Sequence, residues 1–277
     1  MKKIVEIIKM SRPVNSAITF VTVFVAAIIC NRNEHIDIIV FYASLSAMLV
    51  AAAGNIINDI FDFNIDKINK PNRPLPSGKI SIKEAAVFYL IFTIVAFLFS
   101  SSVNKAATGI VFLTTIILFF YSYKLKGVPL IGNLAVAFCT GLAFIYGGVA
   151  VGNWKLAIIP AVFAFLINLI RELLKDVEDL EGDLKNNIIT FPGKYGIEKT
   201  KLIIFVFTGL LLFATFYPFV YKIYKIEYFI IVLFTVDLIL VYFLKELKKN
   251  NINENISKLS MLLKLSMLFG LIAIYVG

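Results

Sequence analysis

Residues 55–78 read NIINDIFDFNIDKINKPNRPLPSG. The stretch begins as the end of an apolar run and turns abruptly polar. Asp59, Asp62 and Asp66 are spaced i, i+3 and i+7, and Asn58, Asp62 and Asp66 are spaced i, i+4 and i+8. On a helix these offsets share one face. Carboxylates packed this way repel one another, and beside apolar surface they are costly without a cation. Hard oxygen ligands suit Mg²⁺, which keeps some waters and is completed by substrate phosphates. Pro71, Pro74, Pro76 and Gly78 then stop any helix and fold the following loop.

The same spacing returns far downstream. In RELLKDVEDLEGD, residues 171–183, Asp176, Asp179 and Asp183 again stand at i, i+3 and i+7. Each copy follows a long apolar segment and precedes a polar, basic loop. A shift of 117 residues overlays the two motifs and places Lys175 on Asn58. One acidic stripe reads as a solvated helix end. Two, alike in spacing and context, read as faces that hold metals between them and clamp one diphosphate.

The flanking composition sets the class. Of 277 residues, 60% are hydrophobic, and the mean hydropathy is +0.88, against about 45–50% apolar for a soluble domain. Apolar runs near 13–30, 36–58, 83–101, 106–122, 130–151, 156–174, 200–221, 227–244 and 259–276 are long enough to cross a bilayer. The expectation is an all-α, polytopic membrane protein with nine spans in one domain, 1–277. Spans 1–4 and 5–8 read as related halves, each with its acidic motif at the end of its second helix. The lysines before the first run precede no clear cleavage site, so that helix is expected to stay as an anchor. Cys30 and Cys139 lie in spans as small packing residues. The only histidine, His35, falls in a loop and leaves no basis for histidine catalysis.

Lys and Arg set the orientation. They crowd the N-terminus, the 2–3, 4–5 and 8–9 loops and the 6–7 region. Only Arg32, Lys105, Lys155, Lys222 and Lys225 fall on the other side. The positive-inside rule then puts the N-terminus and both acidic motifs at the cytoplasmic face of the cell membrane. The net charge of +9 is explained by that topology and is not read as a nucleic-acid signal.

Further polar residues on the same face suit a phosphate site: Arg12 and Asn15 in SRPVNS, Lys67, Arg73, Tyr121, Lys124 and Lys126 in YSYKLKG, Arg171 and Lys175. Each of these cations serves equally as a topology anchor. Gly148 and Gly152 make a GxxxG in the fifth span, with Gly141 and Gly147 nearby, and predict close helix packing. Asp237 and Lys264 lie at similar depth within the last two spans and are expected to approach or share a polar partner.

NDIFDFNID, NRPLPSG and the later DLEGD together resemble the UbiA-type superfamily of intramembrane prenyltransferases, and the RELLKDVEDLEGD and RPVN forms resemble its archaeal ether-lipid branch. The likeness extends over essentially the whole chain. It implies Mg²⁺ ions held by Asn58, Asp62 and Asp66 and by Asp179 and Asp183, with an allylic diphosphate as donor. Asp59 and Asp176 would be supporting ligands or bases, and Tyr121 with Lys124 or Lys126 would act on the diphosphate. The tyrosine–lysine spacing of +3 or +5 departs from the family's +4 and leaves that choice open. For the archaeal branch the implied reaction carries a geranylgeranyl group from its diphosphate to a lipid phosphate, geranylgeranylglyceryl phosphate. An aromatic acceptor is the alternative.

Overall fold

The computed structural model describes residues 2–31, 35, 37–186, 188–249 and 252–277; Arg32 of the topology reading lies outside them. Every regular element among the described residues is helical. Nine helices there are long and apolar enough to cross a membrane, as the hydropathy pattern predicts.

The N-terminal segment does not run straight into the first span. Helix α1 (Lys2–Met10) ends, the chain breaks at Arg12, and α2 (Pro13–Cys30) begins. Arg12 has φ 48°, in the left-handed region. The proline after it disfavours right-handed helix at Arg12 and is itself well placed at the first helical position. Lys3 ties α1 to Glu84 at 2.5 Å, and Lys9 pairs with Glu6 at 2.7 Å within α1 itself. The Lys9 hydrogen bond holds the Glu6 carboxyl below its usual range.

Next come α3 (Ile38–Phe61), α4 (Phe63–Asn69), α5 (Ile82–Val103) and α6 (Lys105–Tyr123). The rest of the chain forms α7 (Ile131–Ala150), α8 (Ile158–Glu178), α9 (Leu180–Lys185), α10 (Phe191–Tyr195), α11 (Ile197–Val220), α12 (Ile226–Ile231), α13 (Leu238–Leu247) and α14 (Ile252–Val276). Val232–Asp237 joins α12 to α13 as a stretch of π-helix within one span. Helices α3 and α8 each run past the apolar run expected of them, because the i→i−4 backbone ladder continues after the side chains turn polar.

The chain divides into two compact units. The first holds Met1–Leu125 and Leu142–Ile158, the second Lys126–Gly141 and Ile159–Gly277. In the first, α3 is central and packs on α2, α5 and α6. The core is built of small side chains, Val23, Ala43, Val50, Ala96, Ala107 and Val111, around the buried ring of Tyr146. The late segment is stitched in by Asn104 Nδ2 to the Val149 carbonyl (3.1 Å) and Asn153 Nδ2 to the Cys30 carbonyl (3.1 Å). A Cβ on Gly147 would stand 2.6 Å from the Val23 carbonyl oxygen and 2.7 Å from Ala26 Cβ. Gly152 departs from the packing role expected of it: it lies beyond the end of α7, has φ 73°, and a Cβ there would meet nothing within 4 Å. It is a turn glycine.

In the second unit α8 buries Ile167, Leu169, Ile170, Leu173, Leu174 and Val177. Helix α14 packs on α13 and on the π-helical stretch. Tyr228 donates to the Thr215 carbonyl at 2.9 Å, and the Thr215 hydroxyl donates to Asp237 Oδ1 at 3.1 Å. The pairing expected between Asp237 and Lys264 is not made. Asp237 Oδ2 is buried with no hydrogen-bond partner, and Lys264 is exposed. A long lysine stem can carry its ammonium out to the polar boundary at less cost than burying it.

Candidate active site

The two acidic motifs are built alike. Asp59 is in α3, and Asp62 sits at the α3–α4 junction with φ −80° and ψ 1°. Asp66 is in α4. In the second unit Asp176 is in α8, Asp179 occupies the α8–α9 junction with φ −89° and ψ 0°, and Asp183 is in α9. At both junctions the i→i−4 backbone bonds continue. Asp62 N–H donates to Asn58 and Asp66 N–H to Asp62, while Asp179 N–H donates to Lys175 and Asp183 N–H to Asp179, all at 2.8–2.9 Å. The middle carboxylate of each motif therefore sits on a small bend that the ladder survives. This is the local basis of the repeat read from spacing.

In the first unit the carboxylates are buried: Asp59 5%, Asp62 8% and Asp66 5% exposed. Two arginines meet them. Arg12 Nη2 lies 2.9 Å from Asp59 Oδ1, and Arg73 Nη1 spans Asp59 Oδ1 (3.3 Å) and Asp66 Oδ2 (2.5 Å). Asn58 Nδ2 donates to Asp62 Oδ2 at 2.9 Å. The proline-rich loop delivers Arg73. Its backbone turns back through Ser77 N–H to the Arg73 carbonyl and Ile80 N–H to the Pro74 carbonyl, with Gly78 at φ 73°. Leu75 and Ile80 plug into a cluster with Ile7, Met10, Ile56 and Ala85. Ser81 and Glu84 then cap α5 reciprocally. Arg12 is aimed by the break between α1 and α2, which Asn55 reinforces by donating to the Ser11 carbonyl at 3.0 Å.

In the second unit Asp176 Oδ2 accepts from Asn133 Nδ2 of α7 at 2.8 Å. Asp176 and Asp183 are half-buried and Asp179 is exposed. Arg171 donates from Nη2 to Glu172 at 3.1 Å. A correspondence between the units emerges here. The first carboxylate of each motif is met by a side chain near the start of that unit's own leading span. Arg12 does this for Asp59, and Asn133 for Asp176.

The other residues singled out from the sequence differ in their surroundings. Asn15, Lys124 and Lys175 are exposed. Lys67 lies over the Phe63 ring, 4.4 Å from its centroid. Tyr121 and Lys126 are half-buried. Asn55 and Asn133 were missed from sequence, because a single neutral amide in an apolar run carries no charge or spacing signal.

The sequence pattern of the UbiA prenyltransferase family matches residues 19–268. The chain belongs to the UbiA prenyltransferase family. Two members named digeranylgeranylglyceryl phosphate synthase are similar along nearly their full lengths. That of Methanosphaera stadtmanae is 36% identical over 270 residues, covering 98% of each chain. That of Methanobrevibacter smithii is 38% identical over 287 residues, covering 100% of this chain and 98% of its own. A solved structure described as giving insights into digeranylgeranylglyceryl phosphate synthase in membranes has a TM-score of 0.89 at 34% identity, covering 100% of this chain and 99% of its own. A UbiA homolog from Archaeoglobus fulgidus, solved with DMAPP and Mg²⁺ bound, shares the fold with a TM-score of 0.73 at 21% identity, covering 98% of this chain and all of its own.

Proposed function

We propose that this UbiA-family membrane protein transfers a geranylgeranyl group from geranylgeranyl diphosphate to the free hydroxyl of geranylgeranylglyceryl phosphate, releasing diphosphate. The observation that carries this reading is the near-full-length similarity to two proteins named digeranylgeranylglyceryl phosphate synthase.

The donor set fits a cation that shares its coordination with substrate. Asn58 and Asp62 place an amide and a carboxylate side by side, and both are hard oxygen donors suited to Mg²⁺. Among the described residues, no three acidic, histidine or cysteine side chains gather into a metal-binding group. Diphosphate oxygens would complete the shell. Asn58, Asp62 and Asp66 would serve as metal ligands in the first unit, and Asp179 and Asp183 in the second. Bound Mg²⁺ supplies Lewis-acid stabilisation of the charge that builds on the leaving diphosphate.

The remaining roles belong to the chain itself. Arg12 pairs with Asp59, and Arg73, bound to Asp59 and Asp66, holds its own loop against α3 and α4. Arg73, half-buried, also adds cationic character where diphosphate charge develops. Two guanidiniums already engage Asp59 Oδ1. Asp176, met by a neutral amide, is the better candidate to accept the proton of the acceptor hydroxyl. The apolar walls of the spans keep water from the allylic cation. The active face and the N-terminus are assigned to the cytoplasm from the distribution of Lys and Arg.

The test is to incubate purified protein with geranylgeranyl diphosphate, Mg²⁺ and a panel of acceptors, and to identify products by mass. The expected product is digeranylgeranylglyceryl phosphate. Efficient prenylation of 4-hydroxybenzoate or a naphthoate, with geranylgeranylglyceryl phosphate left untouched, overturns the acceptor assignment.

A further inference from the structure

Helix α8 carries two buried donors that nothing among the described residues satisfies. Asn168 is 4% exposed, and its Nδ2 has no hydrogen-bond partner. One turn further along, the Arg171 Nε–H is likewise buried and unpartnered, although the same guanidinium reaches Glu172 through Nη2. A buried donor left without a partner is costly, and more so when it belongs to a charged group. Two such donors at i and i+3 lie on one side of the helix.

Their register relates them to the acidic motif on the same helix. Asn168, Glu172 and Asp176 form one i, i+4, i+8 row, and Arg171, Lys175 and Asp179 form the row beside it. At 1.5 Å per residue, Asn168 lies about 4.5 Å below Arg171, and Arg171 about 7.5 Å below Asp176. The donors therefore sit about one to two turns deeper in the membrane than Asp176 and about two to three turns deeper than Asp179.

Resting on the reaction proposed above, we infer that Asn168 and Arg171 form the headgroup subsite of the lipid acceptor. The Arg171 guanidinium takes the phosphomonoester, and Asn168 Nδ2 takes a glycerol oxygen one turn deeper. The chemistry of the acceptor supports this assignment. Its phosphate and its reacting hydroxyl are on adjacent glycerol carbons, so the phosphate must lie within about one helical turn of the reaction. The prenyl carbon of the donor lies on the membrane side of its own diphosphate, so the hydroxyl that attacks it is also deeper than the metal ligands. A guanidinium with a free N–H, adjacent to a neutral amide donor, matches a phosphate next to an ether or hydroxyl oxygen. Glu172 neutralises Arg171 when no acceptor is bound. Asn168 is a specificity-determining residue in this account, since an apolar replacement still packs but cannot donate.

Because donor and acceptor both carry phosphate, the experiment separates them. KM is measured for geranylgeranyl diphosphate and for geranylgeranylglyceryl phosphate in wild type, Asn168→Leu, Asn168→Gln and Arg171→Lys. Each variant is also assayed with geranylgeranylglycerol, which lacks the phosphate. The expected result for Asn168→Leu and Arg171→Lys is a tenfold or greater rise in acceptor KM, with donor KM and Mg²⁺ requirement within about threefold of wild type. Asn168→Gln recovers part of the loss. Against geranylgeranylglycerol, Arg171→Lys and wild type perform alike. Size-exclusion profile and unfolding temperature in detergent verify folding, and Arg171→Lys serves if Asn168→Leu fails to fold. An unchanged acceptor KM, or an equal rise in donor KM, overturns the subsite while leaving the reaction intact. Wild type inactive toward the phospholipid acceptor overturns both, and is told apart by that control.

Discussion

Arg73 holds two carboxylates at once, and its loss has a definite sign. Arg73→Ala leaves Asp66 buried without its cation and Asp59 with Arg12 alone. Breaking a fully buried pair costs about 3–5 kcal/mol. Arg73 keeps 27% of its side chain exposed, so the expected loss is about 2 kcal/mol, read as a lowered unfolding temperature in detergent. Turnover should fall by at least 100-fold, since a cation beside the developing charge is gone. Asp237 is expected to behave in the opposite way. Its Oδ2 is buried without a donor, and intramembrane carboxyls are expensive. Asp237→Asn keeps an oxygen for Thr215 and removes the ionisable group. A gain of about 1 kcal/mol, or roughly 2–4 °C, is expected. A fall in unfolding temperature would mean that the carboxyl has a partner in the membrane. At this scale the sequence was only partly readable. Charges announce themselves by spacing, so Asp59, Asp62, Asp66 and Arg73 were found. Asn133 and Asn168 were not, because one amide in an apolar run looks like any other small polar residue until its neighbours are known.

The elements were more legible, with physical reasons for the exceptions. Nine apolar runs became nine spans among the described residues, since lipid leaves the backbone no choice but to satisfy itself. Hydropathy ended α3 and α8 too early, because it tracks side chains and the helix is held by its backbone. It placed the start of the first span at residue 13, where α2 begins after the left-handed Arg12, but gave no sign of the short helix α1 before it. The glycines of the fifth span show how far a motif can be trusted. Of the Gly148–Gly152 pair that spacing favoured, Gly148 does pack closely, a Cβ there standing 2.8 Å from Ala157 Cβ and 3.3 Å from Cys30 Sγ, while Gly147 beside it approaches the α2 backbone more closely still and Gly152 only turns the chain. Gly147→Ala should therefore be severe, because its Cβ would press on the backbone of Val23, which cannot swing away. The expected outcome is loss of the monodisperse folded protein, or a fall in stability of roughly 2–3 kcal/mol. Gly152→Ala should cost only about 1 kcal/mol from its positive φ. Size-exclusion chromatography and thermal unfolding of the two variants distinguish them, and equal effects would contradict the packing described.

At the scale of the whole molecule, the distribution of Lys and Arg makes a topological prediction. Ser77 is exposed on the loop that carries Arg73. Ser77→Cys should react with a membrane-impermeant thiol reagent applied from the cytoplasmic side of sealed vesicles, and not from the other. Labelling from the opposite face would reverse the proposed orientation. The sequence repeat suggested two halves meeting between the fourth and fifth spans. Packing draws the line elsewhere: the first unit takes back Leu142–Ile158 after the second has begun at Lys126, and the boundary falls inside α7. That division has a consequence for how the protein is made. When the ribosome has finished residue 125, the first unit still lacks the segment bearing Tyr146, Gly147 and Asn153, and the Cys30 carbonyl has no amide to receive. The nascent chain must wait for one more transmembrane helix, whose leading turns belong to the other unit, before its first half can close. Chains stopped at residue 125 should therefore resist proteolysis less well than chains stopped past residue 158, which hold the whole first unit.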